Sequence, residues 1–227
     1  MSAPDILPFE SWDEVFAVAG AAGRYRPLVV FACATGLRPE EWSALQWRDV
    51  DRRTRRCAIR RTHADGELRS EGKRDASLRI VLLADLALDA LDELPQPLRS
   101  ERLLFSAPGG GHINLSNWRR RVWYPALEKA RLERRPLYQM RHTFATLALA
   151  AGMPIDFVSR QLGHTDIRTT APLPRALHPR ARGTPPRDAQ RRLEDDGGGA
   201  RGARWPVGAS RGHRLCERLE LPLSMGQ

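Results

Sequence analysis

Residues 35–51 read TGLRPEEWSALQWRDVD, a run in which one helix is predicted to end and another to begin. Gly36 is a C-terminal stop for the apolar stretch before it, and Pro39 suits the first position of the next helix. Trp42 and Leu45 fall on one side of that second helix. The run therefore predicts that Arg38 stands between two helices.

The segment before this run predicts two helices. Ser11 and Glu14 predict a capping box at the start of the first helix, and Gly20 ends it. The apolar residues of this helix that we expect to face inward are Val15, Phe16 and Val18. A second helix begins near Arg24, and its sequence is apolar enough that the helix must be buried.

The pattern changes to short β-like runs between Asp49 and Leu83. The runs CAIRR (57–61) and LRIVLL (78–83) are separated by a polar stretch, which predicts a small antiparallel sheet with Lys73 on a hairpin. Helices resume in four runs that Pro or Gly closes: 83–94, 115–132, 139–152 and 154–163. The predicted fold class is mainly α with a small antiparallel β-sheet.

Arginine dominates the charge of this 227-residue chain, which has 35 Arg and two Lys against 27 acidic residues and a formal net charge of +10. A strong positive field suits a polyanion, although a GC-rich genome also favours Arg over Lys. Residues 171–227 carry eleven of the Arg among Gly and Pro without an apolar period. We therefore expect one ordered unit over 1–170 and a disordered tail over 171–227.

The cysteines and the apolar runs exclude several classes of protein. Cys33, Cys57 and Cys216 lie far apart, so they form neither a disulfide framework nor a metal-ligand spacing, and we expect buried or free thiols. The sequence has no run of about 18 apolar residues, and its first residues, MSAPDILPFESWDE, contain neither a basic head nor an apolar block. We expect a cytoplasmic protein without a membrane partner.

Four separated stretches resemble, in order, the catalytic domain of the tyrosine recombinases, the phage-integrase family, over residues 10–170. They are TGLRPEEWSALQWRDVD (35–51), GKRDASLRIVLL (72–83), LYQMRHTFAT (137–146) and LGHTDIRTT (162–170). The resemblance implies the fold of that domain and double-stranded DNA as the partner. It also implies catalytic roles for Arg38, Lys73, Arg141 and His164, with Tyr138 at a position where histidine is commoner.

The chemistry of strand cleavage explains these residue types. Transesterification places charge on a five-coordinate phosphorus, and the planar forks of Arg38 and Arg141 match its nonbridging oxygens. Lys73 would protonate the departing 5′ oxygen, while His164 and Tyr138 would donate hydrogen bonds or help move protons. The sequence offers no carboxylate cluster suited to a magnesium pair, so we expect a metal-free mechanism with no cofactor and no small-molecule substrate.

Each of these residues, taken singly, also has a structural interpretation. Arg38 suits a helix cap, and Arg141 suits an ion pair with Asp156 or Glu133. Lys73 suits an ordinary hairpin position, and His164 suits a helix C-cap. Tyr138 suits a half-buried aromatic position. Only the joint arrangement of the four stretches favours the catalytic interpretation.

The residue expected to act as nucleophile is missing. In the family a tyrosine stands nine residues after the downstream histidine, and that position is Leu173 here. The tyrosines of the chain are Tyr25, Tyr124 and Tyr138. Leucine has no ionisable oxygen to form the phosphodiester link, so we expect no cleavage. Because the match stops at Thr170, a change of reading frame is our explanation for the sequence that follows.

The leading hypothesis is a site-specific recombinase or integrase catalytic domain that has lost its activity and lacks the family's N-terminal DNA-binding domain. A second hypothesis is a non-catalytic DNA-binding accessory or dominant-negative protein, which assembles on DNA with itself or with an intact integrase. A type IB topoisomerase-like enzyme is a third, which the runs at 35–42 and 162–170 argue against. We expect a nucleoid-associated location in the cytoplasm.

Overall fold

The computed structural model describes residues 7–70 and 79–163. The first four helices are α1 (Trp12–Ala21), α2 (Arg26–Thr35), α3 (Pro39–Trp42) and α4 (Asp85–Asp92). The later helices are α5 (Leu115–Trp118), α6 (Tyr124–Lys129), α7 (Gln139–Ala150) and α8 (Ile155–Leu162). The strands are β1 (Val50–Asp51), β2 (Arg56–Ile59), β3 (Arg61–Ala64), β4 (Glu67–Ser70) and β5 (Arg79–Leu82). The predicted class, mainly α with a small antiparallel β component, is confirmed.

Helix α2 forms the centre of the core. Every residue from Pro27 to Thr35 is buried, and the helix packs against α1, α4 and α7. Gly36 ends it in the left-handed conformation with φ 69°, as the sequence predicts. The start differs from the prediction, because a short 3₁₀ turn over Gly23–Tyr25 precedes the helix, which begins at Arg26.

Helix α1 differs from its prediction in three details. The Ser11 hydroxyl accepts a hydrogen bond from the backbone N–H of Glu14, but the Glu14 carboxylate accepts from the backbone N–H of Glu10 instead of Ser11. The helix continues through Gly20 to Ala21. Phe16 is 37% exposed, because it lies about 100° around the helix from the buried Val15.

The β region contains two sheets instead of one. Strands β1, β2 and β5 form a three-stranded antiparallel sheet in the order β1-β2-β5, and β3 pairs with β4 in a hairpin. The run predicted as one strand is thus divided between β2 and β3, and the hairpin occupies a stretch predicted to be a polar connection. Asp65 and Gly66, both at positive φ, form its turn. An Asp-Gly pair is typical of a two-residue hairpin turn, but the polar composition of the strands beside it led to the prediction of a connection.

The run predicted as one helix over 115–132 is also divided. A π-helical turn, Arg119–Trp123, separates α5 from α6, and the backbone N–H of Tyr124 donates to the carbonyl of Arg119. Pro125 explains the division, because it has no N–H to donate and its ring crowds the carbonyl four residues earlier. The wide turn relieves this crowding within a continuous helical path.

Two of the three cysteines lie among the described residues. Cys33 in α2 and Cys57 in β2 are buried free thiols, in agreement with the prediction, and Cys216 lies outside the described residues. Burial raises the pKa of both thiols, and raises that of Cys57 to about 12. In the part of the chain that the structure describes, no helix is long and apolar enough to cross a membrane.

We predict that Gly36→Ala destabilises the protein by about 2 kcal/mol or more, as measured by chemical denaturation. A Cβ at this position would lie 2.8 Å from the side chains of both Leu162 and Phe144, and φ is +69°. Gly152→Ala is the matched control, because φ there is +83° and a Cβ would meet nothing within 4 Å. Equal losses in the two variants would show that the close approach at Gly36 costs nothing.

We also predict that stability falls as the pH drops through about 6.5, the ordinary pKa of histidine. His63 is buried and stacks on His112 with ring centroids 4.3 Å apart. Burial, and next the charge of His112, lower the pKa of His63, so the unfolded chain takes up a proton that the folded chain resists. Denaturant unfolding at a series of pH values should show a weaker pH dependence in His63→Phe, and an unchanged slope would contradict this assignment.

Candidate active site

Arg38 occupies the N-cap of α3, between α2 and α3 as predicted. Its backbone is extended, with φ −69° and ψ 153°, because Pro39 disfavours a helical conformation for the residue before it. The backbone N–H donates to Glu41 Oε2 at 2.7 Å, and Nη1 donates to Glu41 Oε1 at 2.9 Å. Arg38 is therefore a helix-cap residue whose side chain is 38% exposed and whose guanidinium is oriented by the Glu41 carboxylate.

Glu41 is the buried counter-charge of this site, since its side chain is only 1% exposed. Besides Arg38 it accepts a hydrogen bond from Arg79 Nη2 at 2.5 Å. A carboxylate that is removed from water requires such partners, because burying an unpaired charge is very unfavourable. Both Glu41 and Arg79 were missed by the sequence analysis. The signal available for Glu41 was its position three residues after the N-cap.

Arg141 lies in α7 and is only 2% exposed. Its Nη1 donates to the carbonyl of Gly36 at 2.9 Å, and its Nη2 donates to the carbonyl of Leu162 at 2.6 Å. These carbonyls lie at the C-terminal ends of α2 and α8, where the helix dipoles favour a cation. Within the described residues Arg141 forms no ion pair with Asp156 or Glu133, so that interpretation is wrong.

The two predicted arginines differ in their electrostatics. Burial and the nearby charge of Arg38 lower the pKa of Arg141 to about 10, against the opposing effects of Tyr138 and Glu41. For Arg38 burial also disfavours the charge, but Glu41 and then Tyr138 outweigh burial and raise the pKa. Both guanidiniums are therefore charged at neutral pH. With Arg79, the site holds three positive charges and the single buried carboxylate of Glu41, which is paired with Arg38 and Arg79. This surplus of positive charge favours a bound anion.

Tyr138 lies at the N-cap of α7 and is 39% exposed. Its ring centroid is 5.9 Å from the guanidinium carbon of Arg141 and 5.1 Å from the ring of His142. Tyr138 also lies beside Arg38 and helps to raise the pKa of that guanidinium. The structure therefore brings together three of the predicted residues: Arg38, Tyr138 and Arg141.

His142 is a further titratable group here that the sequence analysis did not select. It directly follows Arg141 and is partly buried. Burial, and next the charge of Arg141, lower its pKa, so the imidazole is neutral at neutral pH. Its adjacency to the arginine at 141 was the available signal.

The other predicted site residues lie outside the described residues: Lys73, His164 and Leu173. Helix α8 ends at Gly163, in the left-handed conformation with φ 69°, directly before His164 in the sequence. Among residues 7–70 and 79–163, no group of three or more His, Cys, Asp or Glu side chains is arranged to hold a metal ion.

We predict that Glu41→Gln lowers the free energy of unfolding by about 3 kcal/mol, because it leaves two guanidiniums without their buried counter-charge. Glu67→Gln is the matched control, since the Glu67–Arg69 pair is 69% and 68% exposed and its loss should cost under about 0.5 kcal/mol. Chemical denaturation of the two variants provides the measurement. A loss at Glu41 as small as that at Glu67 would refute its role as the buried counter-charge.

Comparison with known structures identifies the fold. The Tn1549 transposon integrase in complex with circular intermediate DNA matches with a TM-score of 0.61 and 18% identity, over 86% of this chain and 68% of that chain. The XerA recombinase matches with a TM-score of 0.57 and 24% identity, over 88% of this chain and 68% of that one. The fold is therefore that of a tyrosine recombinase catalytic domain, as predicted.

Comparison with curated sequences gives the same answer. Prophage integrase IntR of Escherichia coli (strain K12) is 30% identical over 166 residues, which cover 63% of this chain and 40% of that protein. Putative defective protein IntQ of the same strain is 29% identical over 159 residues, or 58% of this chain and 40% of that protein. The chain thus spans about 40% of the length of these relatives. The model of the phage integrase family matches residues 14–172, well over half of the chain, and the protein therefore belongs to that family.

Proposed function

We propose that this chain is a catalytic domain of a site-specific DNA recombinase or integrase that binds double-stranded DNA but does not cut it. The observation that carries the proposal is the proximity of Arg38 and Arg141, two charged guanidiniums that both lie beside Tyr138. Arg38 is paired with the Glu41 carboxylate, whereas Arg141 is bound to backbone carbonyls. The Tn1549 integrase of similar fold is in complex with DNA, which supports DNA as the partner. The arginines would receive a backbone phosphate.

The geometry suits a phosphate diester. Arg141 uses two of the five N–H donors of a guanidinium on backbone carbonyls, and these bonds fix the plane of the donors that remain. Arg38 is held through Nη1 by Glu41, and its exposed part can meet a ligand from solvent. Such fixed donors need no reorganisation when charge develops on a phosphorus.

Lys73 and His164 complete the proposed constellation. In the reaction that the family resemblance implies, a tyrosine hydroxyl would lose its proton to a basic group and its oxygen would bond to phosphorus. The bond from phosphorus to the 5′ oxygen would break, and Lys73 would supply the proton to that oxygen. His164 and Tyr138 would donate hydrogen bonds to the nonbridging oxygens or move protons. Leu173 supplies no attacking oxygen, so in this chain the constellation would bind the phosphate without transferring it.

The division of the chain is part of the same proposal. Residues 1–170 would be the integrase-like unit, and residues 171–227 would result from a change of reading frame. Sequencing the gene across codons 165–180 tests this, because a neighbouring frame should contain a run such as His-Arg-Tyr directly after Thr170, which would restore Thr-Thr-His-Arg-Tyr. A single intact frame without such a run would refute the frame change.

A role as a DNA-binding accessory or dominant-negative protein is the second candidate. It is favoured by the coexistence of a complete arginine pair at 38 and 141 with leucine at 173. Such a chain would assemble on DNA with itself or with an intact integrase and reduce the activity of that integrase. The two candidates are distinguished by adding the chain to an intact integrase that acts on its own DNA site. A domain that has only lost its activity would leave the recombination rate of that integrase unchanged, whereas a dominant-negative protein would lower it.

DNA binding provides the central test. We predict that Arg38→Gln weakens binding to a 30-base-pair duplex roughly tenfold or more and lowers the slope of log affinity against log salt by about one. Arg52→Gln is the matched control, because Arg52 is also 38% exposed and paired with a carboxylate, that of Asp92. Fluorescence anisotropy over a salt series is the measurement. Equal effects of the two substitutions would contradict the phosphate site.

We further predict that the chain forms no covalent adduct with a pool of nicked suicide duplexes of randomised sequence, as assayed by denaturing gel electrophoresis. Leu173→Tyr alone should restore little adduct formation, since the residues around position 173 also depart from the family pattern. An active tyrosine recombinase on its own site is the positive control. Robust adducts formed by the unaltered chain would show that it cleaves DNA by another nucleophile.

A further inference from the structure

Arg79 lies where three elements meet. It is the first residue of β5, and its side chain is only 15% exposed. Nη2 donates to Glu41 Oε2 at 2.5 Å, and Nη1 donates to the carbonyl of Gln161 in α8 at 2.8 Å. One rigid guanidinium therefore joins the carboxylate that directs Arg38 to the C-terminal end of α8.

Two further hydrogen bonds hold β5 and α8 together. The backbone N–H of Leu82 donates to Gln161 Oε1 at 3.1 Å, and Gln161 Nε2 donates to the carbonyl of Leu82 at 2.8 Å. Gly163 also packs directly on the arginine, since a Cβ there would lie 2.5 Å from Arg79 Cδ. The aliphatic part of Arg79 thus has a fixed place against the end of the helix.

Arg141 binds the next carbonyl of the same helix. Arg79 takes the carbonyl of Gln161, and Arg141 takes that of Leu162. Adjacent carbonyls at one helix end therefore connect the two arginines, and Glu41 connects Arg79 to Arg38. Hydrogen bonds from charged groups therefore link Arg38 to Arg141 through Glu41, Arg79 and the peptide that joins Gln161 to Leu162.

We propose that Arg79 is a positioning residue, which sets the separation and orientation of Arg38 and Arg141 for a phosphate diester. This inference rests on the proposed function of those two arginines. Without Arg79, Arg38 would be the remaining charged partner of Glu41 among the described residues. Glu41 would then bind the Arg38 guanidinium more tightly, and the guanidinium would be less available to a ligand. The end of α8 would lose its tie to the Glu41 carboxylate.

The proposal requires arginine instead of lysine. The acceptors of Arg79, Glu41 Oε2 and the carbonyl of Gln161, belong to separate elements and are reached by two different nitrogens of one plane. An ammonium group keeps the charge but holds its three donors on one nitrogen without that fixed fork. Arg79→Lys should therefore keep the electrostatic contribution and lose the positioning.

A double-mutant cycle on the full chain tests the proposal. Arg79→Met should weaken binding of a 30-base-pair duplex about tenfold in the native background and less than about twofold in the Arg38→Gln background, since contacts in one network are not additive. Arg79→Lys should recover only a small part of the loss. Arg56→Met is the matched control: Arg56 is exposed on β2 of the same sheet, and its effect should be small and equal in both backgrounds.

The outcomes separate this inference from the proposed function. If Arg38→Gln leaves DNA affinity unchanged, the phosphate site itself is wrong and the inference falls with it. If Arg38→Gln weakens binding but Arg79→Met has no effect or an additive one, or if Arg79→Lys binds like the native chain, the positioning role is overturned while the phosphate site stands.

A measurement without DNA supports or refutes the same role. The Nε–Hε resonance of Arg141, assigned by its absence in Arg141→Lys, should shift in Arg79→Met and in Arg79→Lys but not in Arg56→Met. Circular dichroism and thermal melting show which variants are folded. If Arg79→Met does not fold, Arg79→Lys is used in its place for both the DNA-binding test and the resonance test. An unmoved Arg141 resonance in a folded Arg79 variant would overturn the proposal.

Discussion

The carboxylate of Glu41, buried between the guanidiniums of Arg38 and Arg79, is the interaction on which the site depends. A buried charge must be paired, and both partners are therefore drawn to one place from different parts of the chain. Arg38 comes from the junction of α2 and α3, and Arg79 comes from the start of β5. The pairing fixes the sheet against the helical core and leaves a surplus of positive charge at the surface.

The second constraint is the end of the buried helix α2. Gly36 turns the chain out of the core, and its carbonyl remains free to accept from Arg141. The side chains of Phe144 and Leu162 approach so closely that no Cβ fits at this glycine. The same close packing that stabilises the helices therefore places an arginine of α7 beside the start of α3, where Arg38 lies.

Much of the fold could be predicted from the sequence because its signals are local. Pro39 at a helix start, Gly36 at a helix end and the apolar run between Pro27 and Thr35 all appear as predicted. The β3–β4 hairpin was missed because its strands are polar. The π turn was missed because Pro125 changes which backbone groups form hydrogen bonds and leaves the spacing of the apolar residues unchanged. The resemblance supplied Arg38, Tyr138 and Arg141, which the structure brings together, whereas Lys73 and His164 remain predictions.

The sequence by itself determined where helices start and stop, which family pattern the chain follows, and that leucine stands where the pattern requires tyrosine at 173. These properties depend on residue identity and on neighbours a few positions away. Only the tertiary structure decided the partners of the site: Arg79 meets Glu41 across 38 positions and Gln161 across 82, and Arg141 meets Gly36 across 105. An Arg-rich chain offers many equivalent donors, and only packing selects which of them reaches the buried carboxylate and the helix ends.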